Sequence, residues 1–138
     1  MFAVIDVQGR VVGFSGRMLP TPQGGDAAAC KEPAKYVNTP ESHVYTKGRQ
    51  LFGLYQARNA VRRADHAALV EGNFDVVSLH ARGIDNVVAP LGTAFTQEQA
   101  TLLKRFCTHV TLAFDGDTAG RKATIASREA CACSALSS

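Results

Sequence analysis

Two aspartates separated by one glycine stand where an apolar strand is expected to end. The stretch Thr111 to Ala123 reads TLAFDGDTAGRKA, in which Asp115 and Asp117 follow a mostly apolar run. Because side chains two residues apart point to the same side of an extended chain, the two carboxylates are expected to face the same way. Like charges at that spacing repel each other, so a hard divalent cation with oxygen ligands, Mg²⁺ or Mn²⁺, is predicted to keep both ionised.

Glu71 and Asp75 are the other carboxylates that we expect at this site. Glu71 directly follows the predicted strand Ala67–Val70, and Asp75 lies in the first turn of the helix predicted after it. Ligands of parallel sheets collect beyond the carboxyl ends of the strands. If the strands that precede Glu71 and Asp115 are neighbours, four carboxylates surround one metal site.

Other interpretations of the Asp-Gly-Asp stretch were weighed against a metal site. A plain turn stays open, in which Asp117 or Thr118 caps the following helix by accepting hydrogen bonds from its first amides. A calcium loop fits poorly, because Ala119 and Ala126 stand where that pattern requires an oxygen ligand and its closing glutamate. A phosphatase that begins with Asp-x-Asp needs a lysine and more acids downstream, and only 21 residues follow Asp117.

Apolar periodicity and turn residues predict the elements that position these side chains. A hairpin turns at Gly9, a surface loop covers Pro20–Pro33, and Thr96 with Gln99 forms a capping box that starts a helix. The predicted strands are Phe2–Val7, Val11–Ser15, Ala67–Val70, Asn86–Ala89 and His109–Phe114. The predicted helices cover about residues 51–63, 74–81 and 96–106. Strands separated by helices favour right-handed crossovers and a parallel sheet.

The charge is distributed unevenly along the chain, whose formal net charge is +3. Up to Arg63 the chain contains nine lysines and arginines and four acidic residues. From Ala64 onward it contains six lysines and arginines and eight acidic residues. A basic half joined to an acidic half favours a partner that carries negative charge together with a metal, such as a nucleotide or nucleic acid. Two solvated surfaces of unrelated composition remain an alternative.

Length and composition fit one compact globular domain, with 138 residues of which 46% are hydrophobic. No apolar run approaches the roughly 20 residues of a membrane-spanning helix, and the start lacks the pattern of a signal peptide, so we expect a cytosolic protein without a membrane partner. The four cysteines are expected to be reduced thiols and not a zinc site. Their positions are Cys30, Cys107, Cys131 and Cys133.

Several segments in order resemble a known family. The stretch Leu69 to Thr96, LVEGNFDVVSLHARGIDNVVAPLGTAFT, followed by TLAFDGDTAGRKA, resembles the Toprim fold of topoisomerases, primases, some nucleases and recombination proteins. Upstream, GRVVGFSGR (9–17), KYVNTPES (35–42) and YTKGRQLFGLYQAR (45–58) resemble the basic part of the RNA-polymerase core of bacterial DNA primase. The resemblance spans about residues 2–124.

This resemblance implies a fold, an activity and a set of site residues. The fold is α/β, a Toprim-type parallel sheet with flanking helices preceded by a small basic α+β subdomain. The implied activity is synthesis of short RNA primers on single-stranded DNA from nucleoside triphosphates in the bacterial cytoplasm, with two Mg²⁺ or Mn²⁺ ions as the implied cofactors. Glu71, Asp115 and Asp117 are the implied catalytic residues, and with Asp75 they supply the metal ligands. The implied nucleotide-binding and DNA-binding residues are Arg17, Lys35, Asn38, Lys47 and Arg49.

The chain also departs from that family's pattern. A further Asp-x-Asp pair, a zinc-binding domain and the domain that binds the replicative helicase are expected to be missing. After about Ala123 the resemblance ends, and the Ser- and Ala-rich end is expected to be a frayed or frame-shifted tail. We therefore expect three parts: the basic part of the core at 1–63, an incomplete Toprim domain at 64–130 and a tail at 131–138.

These departures leave more than one function open. The first is a primase-type DNA-directed RNA polymerase. The second is a truncated Toprim module that binds metal, nucleotide or single-stranded DNA without turnover, which the missing acidic pair favours. A Toprim nuclease or recombination mediator is disfavoured by the primase-like segments around Lys35 and Lys47.

Overall fold

The computed structural model describes residues 1–17, 36–92 and 94–137, without the side chains of Arg17 and Tyr36. The predicted loop Pro20–Pro33 lies outside these residues. The described residues form six strands and four α-helices. In chain order these are β1 (Phe2–Ile5), β2 (Val11–Arg17), β3 (Tyr36–Asn38), α1 (Leu54–Ala64), β4 (His66–Val70), α2 (Asn73–His80), β5 (Val87–Val88), α3 (Gln97–Lys104), β6 (His109–Ala113) and α4 (Thr118–Cys133).

The N-terminal half contains an antiparallel sheet in the order β1-β2-β3. The predicted hairpin is confirmed, with Phe2 opposite Ser15. Asp6 holds its turn, because one carboxylate oxygen accepts hydrogen bonds from the amides of Gln8 and Arg10, and the other accepts one from the Arg10 guanidinium. The short strand β3 was not predicted, since three residues carry too little alternation to show in the sequence.

The C-terminal half contains a parallel sheet in the order β5-β4-β6, as the alternation of strands and helices predicted. Its helices fall close to the predicted segments. In α1, for example, Leu54, Ala57 and Val61 are buried on one face at helical spacing. The α/β fold class, a parallel sheet with flanking helices behind a small antiparallel sheet, is therefore confirmed.

Two buried clusters cover the two faces of the parallel sheet. The larger cluster joins α1, α3 and α4 to one face through residues such as Leu69 and Leu103. The smaller cluster joins α2 to the other face and includes Val4 of β1 beside Val70. Because β1 packs into the same core as β4, the antiparallel sheet is fixed against the parallel one.

The C-terminal segment contradicts the expectation of a frayed tail after about Ala123. Helix α4 continues to Cys133, and Leu136 is 5% exposed within the larger cluster. Ser137 then pairs with the outer edge of β6, where its carbonyl accepts from the Val110 amide at 2.8 Å. The prediction failed because small residues, which suggested disorder, suit a helix that packs closely against a core.

Two cysteines of the C-terminal half behave as the sequence predicted. Cys107 and Cys131 are buried free thiols within the larger cluster. Burial raises the pKa of Cys107 to about 11 and also raises the pKa of Cys131, which keeps both as unreactive thiols. In the described part of the chain, no helix has the length and apolar character needed to cross a membrane.

Asp6 should make the stability of the fold depend on pH. Burial opposes the ionisation of Asp6, but hydrogen bonds from Arg10 and Gln8 and the charge of Arg10 lower its pKa below the usual 3.8. A lowered pKa contributes stability above the unfolded-state value, and this is lost as the pH falls through the folded-state value. Urea unfolding at several pH values should therefore show wild-type stability falling below about pH 4, with a shallower slope for Asp6→Asn. An equal slope in both proteins would contradict the assignment, and exposed Asp85→Asn serves as the control.

Leu136 should contribute to the core although it lies near the end of the chain. Leu136→Ala removes a buried side chain and leaves a cavity, so we expect the free energy of unfolding to fall by about 2–4 kcal/mol. Ile125→Ala on α4 is the matched control, because Ile125 is 62% exposed and its truncation should cost less than about 1 kcal/mol. Similar losses in the two variants, measured by denaturant unfolding, would show that the C-terminal segment does not pack as described.

Candidate metal and nucleotide site

The carboxyl ends of β4 and β6 lie side by side. The two strands pair in parallel, with Val70 opposite Ala113. Glu71 directly follows β4, and Asp115 follows β6 after one intervening residue. The two strands are neighbours, which was the condition for the carboxylates to converge, and the acidic segments meet at one edge of the sheet.

A hydrogen bond joins the two acidic segments. The Glu71 Oε1 atom accepts from the backbone amide of Asp115 at 3.0 Å. Glu71 and Asp115 are both exposed residues, and this hydrogen bond uses only one Glu71 oxygen. The pair leaves carboxylate oxygens available to a ligand while it fixes the backbone between the strands.

Asp117 caps helix α4. Its Oδ1 atom accepts from the Gly120 amide at 2.7 Å, which is the helix-cap alternative that the sequence left open. A carboxylate has two oxygens and about four acceptor sites, so the cap leaves Oδ2 free. The capping role and a role as a metal ligand are therefore compatible in the same residue.

Asp75 also serves a helix end. Its Oδ2 atom accepts from the Gly72 amide at 3.0 Å at the start of α2. Within residues 1–17, 36–92 and 94–137, no three His, Cys, Asp or Glu side chains lie close enough together to hold a metal ion. The structure brings Glu71 and Asp115 together but does not gather all four predicted carboxylates into one cluster, so their role as metal ligands stays a prediction.

The donor chemistry of this edge fits a hard cation. The side chains of Glu71, Asp115 and Asp117 offer only oxygen atoms, which are the ligands that Mg²⁺ and Mn²⁺ prefer. Helices α2 and α4 both begin here, and the positive ends of their dipoles favour phosphate. The edge combines ligands for a divalent cation with amide ends suited to a phosphate.

Gly120 allows the first turn of α4 to approach the acidic pair. A Cβ atom at this position would lie 2.0 Å from the Asp115 carbonyl oxygen and 2.9 Å from Glu71 Oε1. No side chain fits in that space, and the nearest atom belongs to the backbone. No local pattern in the sequence marks Gly120, since the contact joins segments that follow different strands and arises only in the folded chain.

The residues expected to bind nucleotide or DNA lie in the N-terminal half of the chain. Asn38 ends β3 and donates from Nδ2 to the Leu91 carbonyl at 3.4 Å, while its buried Oδ1 has no partner among the described residues. Lys47 and Arg49 lie in a 3-10 turn, Lys47–Arg49. Arg17 ends β2 opposite Tyr36, whereas Lys35 and the Arg17 side chain lie outside the described residues.

Two cavities lie beside Glu71, and one of them joins the two halves of the chain. A cavity of about 70 Å³ is lined by Asn38 and Glu71 together with Ser15 and Asn73. The buried Asn73 side chain donates to Ser15 Oγ at 2.6 Å and so joins α2 to β2. A second cavity of about 550 Å³ opens beside Glu71 and is lined largely by apolar side chains, with Lys122 at α4. Asn38 of the basic half therefore shares a cavity with Glu71 of the acidic half.

Two successive parts of the chain match known families. Residues 68–136 match the family described as Toprim-like. Residues 1–58 match the family described as the N-terminal domain of the DNA primase catalytic core. The Toprim-like match extends well beyond Ala123, where the sequence was expected to lose its resemblance.

Known proteins and structures resemble the chain over most of its length. It is 50% identical over 118 residues to a DNA primase of Aquifex aeolicus, covering 86% of the chain and 22% of that relative. The chain thus spans about a fifth of the length of the curated relatives it matches.

Solved structures share its fold. The zinc-binding and RNA polymerase domains of the Aquifex aeolicus primase give a TM-score of 0.86 at 42% identity, covering 97% of this chain and 31% of that one. A DnaG primase catalytic domain bound to single-stranded DNA gives 0.79 at 40% identity, covering 94% and 38%.

Substitution of Gly120 should disturb the acidic edge. In Gly120→Ala the new methyl group overlaps the Asp115 carbonyl, so α4 must move away, and we expect a loss of more than about 2 kcal/mol in the free energy of unfolding. Gly116→Ala is the matched control, because a Cβ there meets no atom within 4 Å. Denaturant unfolding of both variants tests this, and a Gly120→Ala protein as stable as Gly116→Ala would contradict the close approach.

Proposed function

The chain belongs to the bacterial DNA primase family, and we propose that it is a part of the primase catalytic core that binds metal, nucleotide and template. The proposed reaction is nucleotidyl transfer, in which short RNA primers are made on single-stranded DNA from nucleoside triphosphates. The bacterial cytoplasm, which holds the DNA that is replicated, is the proposed location. A replicative helicase is the proposed partner of the full-length protein.

The contact between Glu71 and the Asp115 amide carries this proposal. It unites two acidic segments from neighbouring parallel strands at the edge where such sheets bind ligands. Asp117, at the start of α4, lies two residues further along the same loop. Nucleotidyl transfer needs negative phosphate oxygens held beside oxygen ligands for cations, and this edge offers carboxylates next to two helix N-termini.

We propose that Glu71, Asp115 and Asp117, with Asp75, hold Mg²⁺ or Mn²⁺, as two ions. Bound there, such ions would supply the positive charge that activates the primer hydroxyl and neutralises the leaving pyrophosphate. The contribution of the protein is to set the positions of the ligands. Glu71 is held by the Asp115 amide, and Asp117 by the amide of Gly120.

The basic half is proposed to hold the phosphates of the triphosphate and the template. Lys47 and Arg49 share one turn, and Asn38 directs an unpartnered buried oxygen near the cavity that Glu71 also lines. Arg17 and Lys35 complete the proposed set from the segments that flank β2 and β3. Binding that depends on such cations weakens as salt rises, because bound phosphates release their counterions.

Binding without turnover is the second candidate, and a specific observation favours it. In the described part of the chain, no three metal-ligating side chains converge. The Glu71 side chain contacts the backbone amide of Asp115, and a site with so few carboxylates in place would bind a cation without completing a two-ion arrangement. Metal, nucleotide or single-stranded DNA would then bind, and no primer would be made.

Asn substitutions at the two aspartates should separate metal chemistry from folding. Asn caps a helix as well as Asp does, so Asp115→Asn/Asp117→Asn should keep α4 intact while it removes two anionic ligands. We expect the variant to lose at least about tenfold in Mn²⁺ affinity by calorimetry, with unfolding changed by less than about 1 kcal/mol. Primer synthesis on single-stranded DNA, measured with labelled nucleoside triphosphates, should disappear.

The control for this experiment removes the same charge elsewhere. Asp85→Asn/Glu98→Gln changes two exposed acids away from the acidic edge and should leave Mn²⁺ affinity unchanged. RNA products that persist in Asp115→Asn/Asp117→Asn would refute the proposed site. Metal-dependent binding without any product from the wild-type chain would establish the second candidate in place of the first.

A further inference from the structure

We propose that Gln99 is a positioning residue that holds the basic turn Lys47–Arg49 at a fixed place relative to the acidic edge. The inference rests on the proposed function, because it assumes that Lys47 and Arg49 bind phosphate. It assigns to Gln99 a role that its place in a helix cap does not require.

The Gln99 carboxamide is fully buried and uses all of its donors. Its Nε2 atom donates to the Lys47 carbonyl at 2.9 Å and to the Gln50 carbonyl at 2.8 Å. Its Oε1 atom accepts from the Thr96 amide at 3.0 Å. One side chain therefore binds the first residue of the basic turn and the residue after its end.

Thr96 adds a third bond to the same turn. Its hydroxyl donates to the Gly48 carbonyl at 2.6 Å and accepts from the Gln99 amide at 3.1 Å. These bonds involve only the backbone of the turn, so the side chains of Lys47 and Arg49 are not consumed. Among the described residues, neither side chain has a carboxylate within ion-pair distance.

The segment that carries Gln99 is also attached to the acidic edge. Between β5 and α3, the Ala89 and Phe52 backbones exchange two hydrogen bonds, and the Leu91 carbonyl accepts from Asn38. Gly92 follows in a left-handed conformation, φ 69°, and lines the same cavity as Glu71. Residues 38–52 are thus hydrogen-bonded at three places to residues 89–99: at Ala89, at Leu91, and at Thr96 with Gln99. These residues follow β5, which is the neighbour of β4, the strand that precedes Glu71.

The choice of residue supports positioning over capping. A capping box needs only the acceptor oxygen, and Glu provides it as well as Gln does. The two Nε2 bonds reach residues about fifty positions away and require an amide donor. Burial of that group is favourable only because both carbonyls satisfy it. The Gln99 side chain therefore stabilises the turn Lys47–Arg49 as well as the start of α3.

The test measures binding of a fluorescein-labelled oligothymidylate by anisotropy. Gln99→Glu keeps the cap, loses both donors and places a carboxylate against two carbonyls. We expect Gln99→Glu to lower the affinity about tenfold in the wild-type background and less than about twofold in a Lys47→Met/Arg49→Met background. The reason is that a residue that acts through the turn has no phosphate-binding side chain left to position there.

Gln97→Glu adds the same charge on the exposed side of α3 and serves as the control. Gln99→Met, without added charge, is the second variant.

Each outcome decides between positioning and the alternatives. Equal losses in both backgrounds, or no loss beyond that of Gln97→Glu, would refute the proposal while the proposed function stands. If neither Gln99 variant folds by circular dichroism, the residue serves the whole fold and the proposal is wrong. If Lys47→Met/Arg49→Met binds the oligonucleotide as tightly as wild type, or wild type does not bind, the proposed function fails for this segment, and the inference fails with it.

Discussion

The parallel register of β4 and β6 is the constraint from which the site follows. With Val70 opposite Ala113, the residues after each strand leave the sheet at the same height, and Glu71 meets the Asp115 amide. A shift of one residue would turn the side chains of a strand to the opposite face, so the apolar core holds this register. Packing of Leu69 and Val110 in the core therefore determines the position of polar groups at the edge.

The repulsion between neighbouring carboxylates is moderated by the fold itself. One oxygen of Asp117 accepts a hydrogen bond from an amide at the start of α4, and one oxygen of Asp75 accepts one at the start of α2. The positive end of each helix dipole stabilises a carboxylate there. The other oxygen of each of these carboxylates stays available to a ligand.

Local patterns in the sequence predicted the elements well and the connections between them poorly. The capping box of Thr96 and Gln99 was visible because both residues belong to one helix turn. The bonds from Gln99 to Lys47 join residues far apart in the chain, and no local pattern reports such a pair. The same limit applies to Gly120. A side chain is excluded at this position only because α4 packs against Asp115 in the folded chain.

The prediction for the C-terminal segment was wrong for a different reason. Its small residues suggested disorder, although the same residues allow a helix to lie close against Leu103 and its neighbours. Burial, which composition does not report, decided the outcome. The cluster of four carboxylates was predicted from the order of strands and helices. That order explains why Glu71 and Asp115 lie at one edge of the sheet, but it does not determine the side-chain directions of Asp75 and Asp117.

The pairing of Ser137 with β6 has a consequence for how this sheet can grow. In the described sheet β6 is an edge strand, and Ser137 covers its outer side only at His109, the end away from the acidic residues. The backbone from Thr111 to Ala113 still offers hydrogen-bonding groups on that side. A parallel strand added there would end beside Asp115. The residues that follow such a strand would therefore lie at the same edge of the sheet as Glu71 and Asp115.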